Sequence, residues 1–199
     1  MEKIKQYLSI YKQKILSSSV FAKLGQKIII ATTIITAVLV GILAWIIRPN
    51  PEINQAAVQL AQTANNIRLF YQTKPGYWGL NTDSVIKNNL YASGMLKDVK
   101  LYNAFGKPVI IGQDTEGNIV MPGSRNFVIT FPELSKKECT AMAAFKLNER
   151  ENLTLLQMVI LTDGQRFDFT WGGKNPLPVT KTEAAKFCGS KNTVAWSFE

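Results

Sequence analysis

The stretch Ile53–Tyr71, INQAAVQLAQTANNIRLFY, decides how the rest of this 199-residue chain is read. Ile53, Ala57, Leu60, Ala64, Ile67 and Tyr71 recur at spacings of four, three, four, three and four. That period lays one apolar stripe along a helix, with Asn54, Gln55, Gln62 and Asn65 on the other face. A two- or three-stranded coiled coil would also use such a stripe, but this repeat lasts under three heptads and is built on small alanines. The reading adopted is a helix packed against its own domain.

Working back from the stripe, Arg48-Pro49-Asn50-Pro51 breaks or kinks any preceding helix, since each proline removes a donor and restricts its predecessor. Before it stands Ile28–Ile47, IIIATTIITAVLVGILAWII, twenty uncharged residues between Lys27 and Arg48. At about 1.5 Å per residue such a run covers about 30 Å, the thickness of the hydrocarbon core of a bilayer. A cleaved secretory signal has a shorter apolar region ending in small residues, whereas this run ends in Trp45, Ile46, Ile47 and Arg48. A buried core helix would need a large protein around a surface that is apolar on all sides. Ile28 to Ile47 is therefore expected to be a single transmembrane helix. Lys3, Lys5, Lys12, Lys14, Lys23 and Lys27 stand before it against Glu2 alone, which predicts a cytoplasmic N-terminus and an extracytoplasmic remainder. The tail thus accounts for five units of the net charge of +9. No Lys- or Arg-rich run remains downstream, so nucleic acid is not an expected partner.

Working forward, Lys74-Pro75-Gly76 ends the helix, and an aromatic loop, Tyr77-Trp78-Gly79-Leu80-Asn81-Thr82, leads to a short helix over 83–89. Strands are expected over 108–112, 118–121 and 126–131, where Phe127, Ile129 and Phe131 share a side. Ser135 and Glu138 have the spacing of a capping box, which opens a helix through about Leu147. Asp163-Gly164 between apolar runs predicts a hairpin of strands 156–161 and 166–171. A short helix over 182–187 and a terminal strand through Val194, Trp196 and Phe198 complete the chain. The fold class is α+β: an N-terminal transmembrane helix, then an amphipathic helix packed on an antiparallel sheet. The expected domains are a basic tail at 1–27, the membrane helix at 28–48, the proline break with the amphipathic helix at 49–75, and a head at 76–199.

Cys139 and Cys188 both fall outside the cytoplasm in this topology, where an even pair reads first as a disulfide and second as two buried free thiols. The chain holds no histidine, which removes the commonest general base and most zinc sites. Neither a phosphate-cradling GxxxxGK loop nor a GxGxxG fingerprint occurs. Asp163 belongs to a turn, and Asp168 lies opposite Phe167 and Phe169. Asp114 and Glu116 are too few carboxylates for a calcium loop. Asn152-Leu153-Thr154 matches a glycosylation sequon that is common by chance. No catalytic, cofactor-binding or metal-binding residue emerges, and no small-molecule substrate is expected. Tyr77, Trp78, Tyr91, Tyr102 and Phe105 read as packing at the helix-to-sheet junction, with a sugar or protein contact as the other reading.

The order of elements resembles the type IVb pilins, and most closely the pilins of conjugative thin pili. The resemblance is carried by Asn66–Tyr71 before the Gly-Tyr loop, by Tyr77–Thr82, and by Leu101–Val109 with its Asn103-Ala104-Phe105-Gly106. Phe127–Phe131 followed by Glu133, Leu134 and Cys139 belongs to it as well, as do Cys188-Gly189 and Asn192–Phe198. It implies a structural subunit without catalytic activity, whose membrane helices bundle at a filament core while its heads form the surface. It further implies that Cys139 and Cys188 close the partner-facing region, and that the partners are other copies, other pilins and pilus-assembly proteins. The expected location is the bacterial inner membrane, with the head in the periplasm or on a surface pilus. Pilin precursors are cut after a glycine, which here corresponds to Gly25 with Gln26 becoming residue one. Their apolar run carries glutamate at its fifth position, whereas this chain has Ile30 there and no acidic residue between Glu2 and Glu52. That departure supports an alternative: an uncleaved, anchored accessory protein whose pilin-like head binds envelope or secretion-system components.

Overall fold

The computed structural model describes residues 35, 36, 38, 40, 50–112, 125–147 and 153–199. The chain divides into two compact units, Met1–Pro49 and Asn50–Glu199. In the first, Ile35, Thr36, Val38 and Val40 are helical and exposed. Gly25, Gln26 and the rest of the expected membrane segment, Ile28 and Ile47 included, lie outside the described residues. So do Asp114, Glu116, the expected strand 118–121 and Asn152. Among the described residues no helix is long and apolar enough to cross a membrane.

The second unit opens with α1 (Pro51–Tyr71). Asn50 is extended, at φ −60° and ψ 114°, and its Oδ1 accepts the Glu52 N–H at 3.1 Å. Pro51 takes the first helical position, where a missing N–H costs no hydrogen bond. Pro51 thus starts a helix two residues before the apolar stripe. Ala57, Leu60, Ala64, Ile67 and Tyr71 of that stripe are buried, and Ala56 and Ala61 widen it. The buried face also takes in Gln59 and Thr63, which apolar periodicity alone does not reveal. Thr63 is satisfied there: its Oγ1 donates to Met95 Sδ at 3.2 Å and accepts the Ala92 N–H at 3.0 Å.

A connecting segment follows, with α2 (Thr82–Lys87) and a two-residue ribbon of β1 (Leu96–Lys97) and β2 (Lys100–Leu101). The main sheet contains β3 (Ile110–Ile111), β4 (Phe127–Leu134), β5 (Leu155–Thr162), β6 (Gln165–Thr170) and β7 (Asn192–Phe198). Its order is β3-β4-β7-β5-β6, and every neighbouring pair is antiparallel. The last strand in sequence therefore lies in the middle of the sheet. Register builds apolar rows across it: Ile129, Trp196 and Met158 stand opposite one another, as do Phe131, Val194 and Ile160. All six are buried, and on such a surface cross-strand pairs of aromatic and β-branched residues stabilise most.

β4 runs three residues past the expected end. Its pairing with β7 slips between Phe131 and Leu134, where Pro132 has no N–H for the ladder and Glu133 has φ 60°. The irregularity lets the strand continue beyond a proline that would otherwise end it. α3 (Lys136–Ala143) and α4 (Lys181–Phe187) complete the unit. α1 packs against α3, and α3 against α4 and β7, so the core lies between one face of the sheet and this helical layer.

Candidate functional site

Both cysteines reach the same place through short helices that are capped alike. Ser135 Oγ accepts the Glu138 N–H while Glu138 Oε2 accepts the Ser135 N–H at 2.7 Å, which starts α3 three residues before Cys139. Thr180 and Glu183 repeat the arrangement at the start of α4, whose C-cap is Cys188. The Thr180 hydroxyl and N–H donate to the Glu183 carboxylate and hold its pKa below the ordinary value. Cys139 and Cys188 form a disulfide across Cα atoms 6.0 Å apart, closing a loop across a sequence separation of 49. Both are buried. The reading as two free thiols is thereby set aside.

A polar node sits next to the disulfide. Asn192 is 1% exposed, its Nδ2 donates to the Leu134 and Gly189 carbonyls at 2.9 and 3.1 Å, and its Oδ1 accepts the Gly189 N–H at 2.7 Å. One side chain thus ties the end of β4, the turn after Cys188 and the start of β7. The same Gly189 N–H lies 3.1 Å from Thr162 Oγ1. A Cβ on Gly189 would collide with the side-chain atoms Thr162 Oγ1 and Asp163 Oδ2, so a larger residue here would displace those two side chains of the β5–β6 hairpin. The hairpin itself is the expected Asp163-Gly164 turn, with φ 48° and 76°. Lys136, Lys137, Lys181, Lys186 and Lys191 are exposed around this disulfide-closed region.

The aromatic residues divide. Tyr77 stacks between Tyr71 and Phe127, with ring centroids 5.3 and 4.7 Å away, and Phe127 lies 5.5 Å from Phe198. This column joins the end of α1 to β4 and β7, which is junction packing. Burial raises the Tyr77 pKa; Arg68 pulls it down and Glu199 adds to the rise. Trp78 is 58% exposed and takes no part in that column. Tyr91 donates its hydroxyl to Asn89 Oδ1, and Tyr102 and Phe105 are half-buried. Asp168 is exposed and bound to Arg166 at 3.1 Å and to Gln157 Nε2 at 2.9 Å. Among the described residues no group of three His, Cys, Asp or Glu side chains is placed to hold a metal.

One long helix on an antiparallel sheet, with a disulfide stapling two short helices beside the central strand, defines a pilin-like head. Residues 48–192 match the Bundlin family. The chain belongs to that family and is a type IVb pilin. Its members are structural subunits of pili and not enzymes. Among solved structures it is similar to a type IVb pilin from Salmonella typhi, at 19% identity and a TM-score of 0.47 over 74% of this chain and 97% of that one. It is also similar to TcpA, a type IV pilin from Vibrio cholerae El Tor biotype, at 15% identity and a TM-score of 0.47 over 73% of this chain and 98% of that one. No curated protein matches it in sequence.

Proposed function

We propose that this chain is made as a bitopic precursor held in the bacterial inner membrane by Ile28–Ile47, with its basic tail in the cytoplasm and its head in the periplasm. From there it joins a surface pilus of a type IVb or conjugative system, associating with further copies and with pilus-assembly proteins. The twenty-residue uncharged run behind six lysines carries this reading. The disulfide favours it too, since such bonds persist in oxidising compartments. Cleavage after Gly25 would leave Gln26 as the first residue. Mass analysis of the mature N-terminus from membranes and from sheared surface filaments tests the proposal. A filament-borne chain beginning at Gln26 is expected. An intact Met1 or Glu2 terminus confined to the membrane fraction would overturn it in favour of an anchored accessory protein.

A further inference from the structure

The β1–β2 hairpin departs from local preference in three ways at once. Its tip, Asp98-Val99, has φ 48° and 62°, the signs of a type I′ turn, whose second central place ordinarily falls to glycine. Val99 is β-branched, and such residues rarely adopt positive φ. Lys97 and Lys100 stand directly opposite each other in the register, and like charges so placed repel. Leu96 and Val99 are aliphatic yet 41% and 79% exposed. Strained backbone of this kind clusters at binding sites, and departures that fall together mark functional segments.

The place of the hairpin on the head narrows the partner. Ala92 and Met95, just before it, are both hydrogen-bonded to Thr63 Oγ1 of α1. Lys97 and Asp98 line one cavity with Gln59 and Gln55, which lie about one and two turns nearer the start of the helix. The ribbon thus runs down α1 toward Pro51. At about 1.5 Å per residue, Thr63 is about 18 Å from that start and Gln55 about 6 Å. Ile47, the last residue of the apolar run, precedes Pro51 by four residues, a reach of at most about 14 Å. The hairpin tip therefore sits at the end of the head from which the chain leads back to the apolar run. An aliphatic tip flanked by lysines suits the boundary between lipid headgroups and acyl chains. Asp98 offsets one of the two lysines, which leaves the tip with one net positive charge.

We propose that the β1–β2 hairpin docks the head on an anionic phospholipid surface, with Val99 and Leu96 entering the headgroup boundary and Lys97 and Lys100 meeting lipid phosphates. This docking rests on the reading of Ile28–Ile47 as a membrane anchor. The test reconstitutes the full-length protein, its disulfide oxidised, in vesicles of phosphatidylglycerol and in vesicles of phosphatidylcholine. A nitrobenzoxadiazole label is attached through Val99→Cys or, separately, through Ile47→Cys, and its quenching by lipids with a nitroxide high on the acyl chain is measured. The label at position 47 reads the anchor and is expected to be quenched in both lipids. The label at position 99 is expected to be quenched in phosphatidylglycerol, with a docked-to-free ratio about fivefold lower in phosphatidylcholine, the worth of one lysine at an anionic surface. Lys97→Gln with Lys100→Gln is expected to bring the ratio in phosphatidylglycerol down to the phosphatidylcholine level without changing position 47. Absence of quenching at position 47 would overturn the anchor and the docking with it. Quenching at position 47 with none at position 99 overturns the docking alone, as do equal ratios in the two lipids or a ratio unmoved by the lysine substitutions. A label at position 99 shielded from aqueous iodide yet unquenched by lipid would place the hairpin against another protein, and also overturns the proposal.

Discussion

Asn192 shows how much one side chain can organise. Asn192 is almost wholly buried, so Asn192→Ala leaves the Leu134 and Gly189 carbonyls without its Nδ2, while the Gly189 N–H keeps Thr162 Oγ1. Buried groups left unmet cost about 1–3 kcal/mol each, and an overall loss of about 3 kcal/mol is expected, read from the midpoint of urea unfolding. Tyr77 makes a prediction about pH. Burial raises its pKa in the folded state above that of the unfolded chain, so the neutral ring contributes stability below the ordinary tyrosine value of about 10. That contribution is lost as pH rises through the folded value. Denaturation curves between pH 8 and 12 should show wild type weakening more steeply than Tyr77→Phe; parallel decline would remove Tyr77 as the cause. Neither role stands out in the sequence. Asn192 is one polar residue among several near the C-terminus, and its importance arises from chain segments 58 and 3 positions away.

At the level of elements, the disulfide acts on two helices too short to persist alone. α3 has eight residues and α4 seven, well under the length at which an isolated helix is stable in water. Their capping boxes start them, and the covalent tie holds them together. On the chain-entropy model a loop of this length stabilises the fold by about 4 kcal/mol, and the double variant Cys139→Ser, Cys188→Ser should lose about that amount. Both thiols of the native protein should resist alkylation until reductant is added. Modification of either one without reductant would show that the bond is not present. Ser135, Glu138 and the Asp163-Gly164 turn are legible in the chain because caps and tight turns are decided by residues three or fewer apart. The end of β4 is not, because Pro132 stops a strand by local rules and only pairing with β7 carries it on to Leu134.

For the whole molecule, the position of β7 governs assembly. The last strand pairs with β4 on one side and β5 on the other, so the sheet has no centre until the C-terminus arrives. A chain ending at Lys191 lacks Val194, Trp196 and Phe198, which pack between the apolar rows of β4 and β5. Such a truncation is expected to lose cooperative thermal unfolding and to be cut rapidly by protease. A cooperative transition close to that of the full chain would argue that β4 and β5 can pair without it. Contacts this distant in sequence also close large loops, which slows folding relative to a helical bundle.

The chain by itself determined whatever depends on short spacing. The stripe of Ile53–Tyr71, the cap at Ser135, the Asp163-Gly164 hairpin and the alternation in Phe127–Phe131 all rest on backbone periods of a few residues. Those periods were enough to read a helix on an antiparallel sheet, and the contexts of Cys139 and Cys188 were enough to resemble type IVb pilins. The tertiary structure alone decided which strands are neighbours, how closely Gly189 approaches the β5–β6 hairpin, and why the polar Gln59 and Asn103 are buried. Each of these depends on residues brought together from distant parts of the chain. Pattern along a sequence carries direction and period, whereas proximity across a fold is set by how the layers pack.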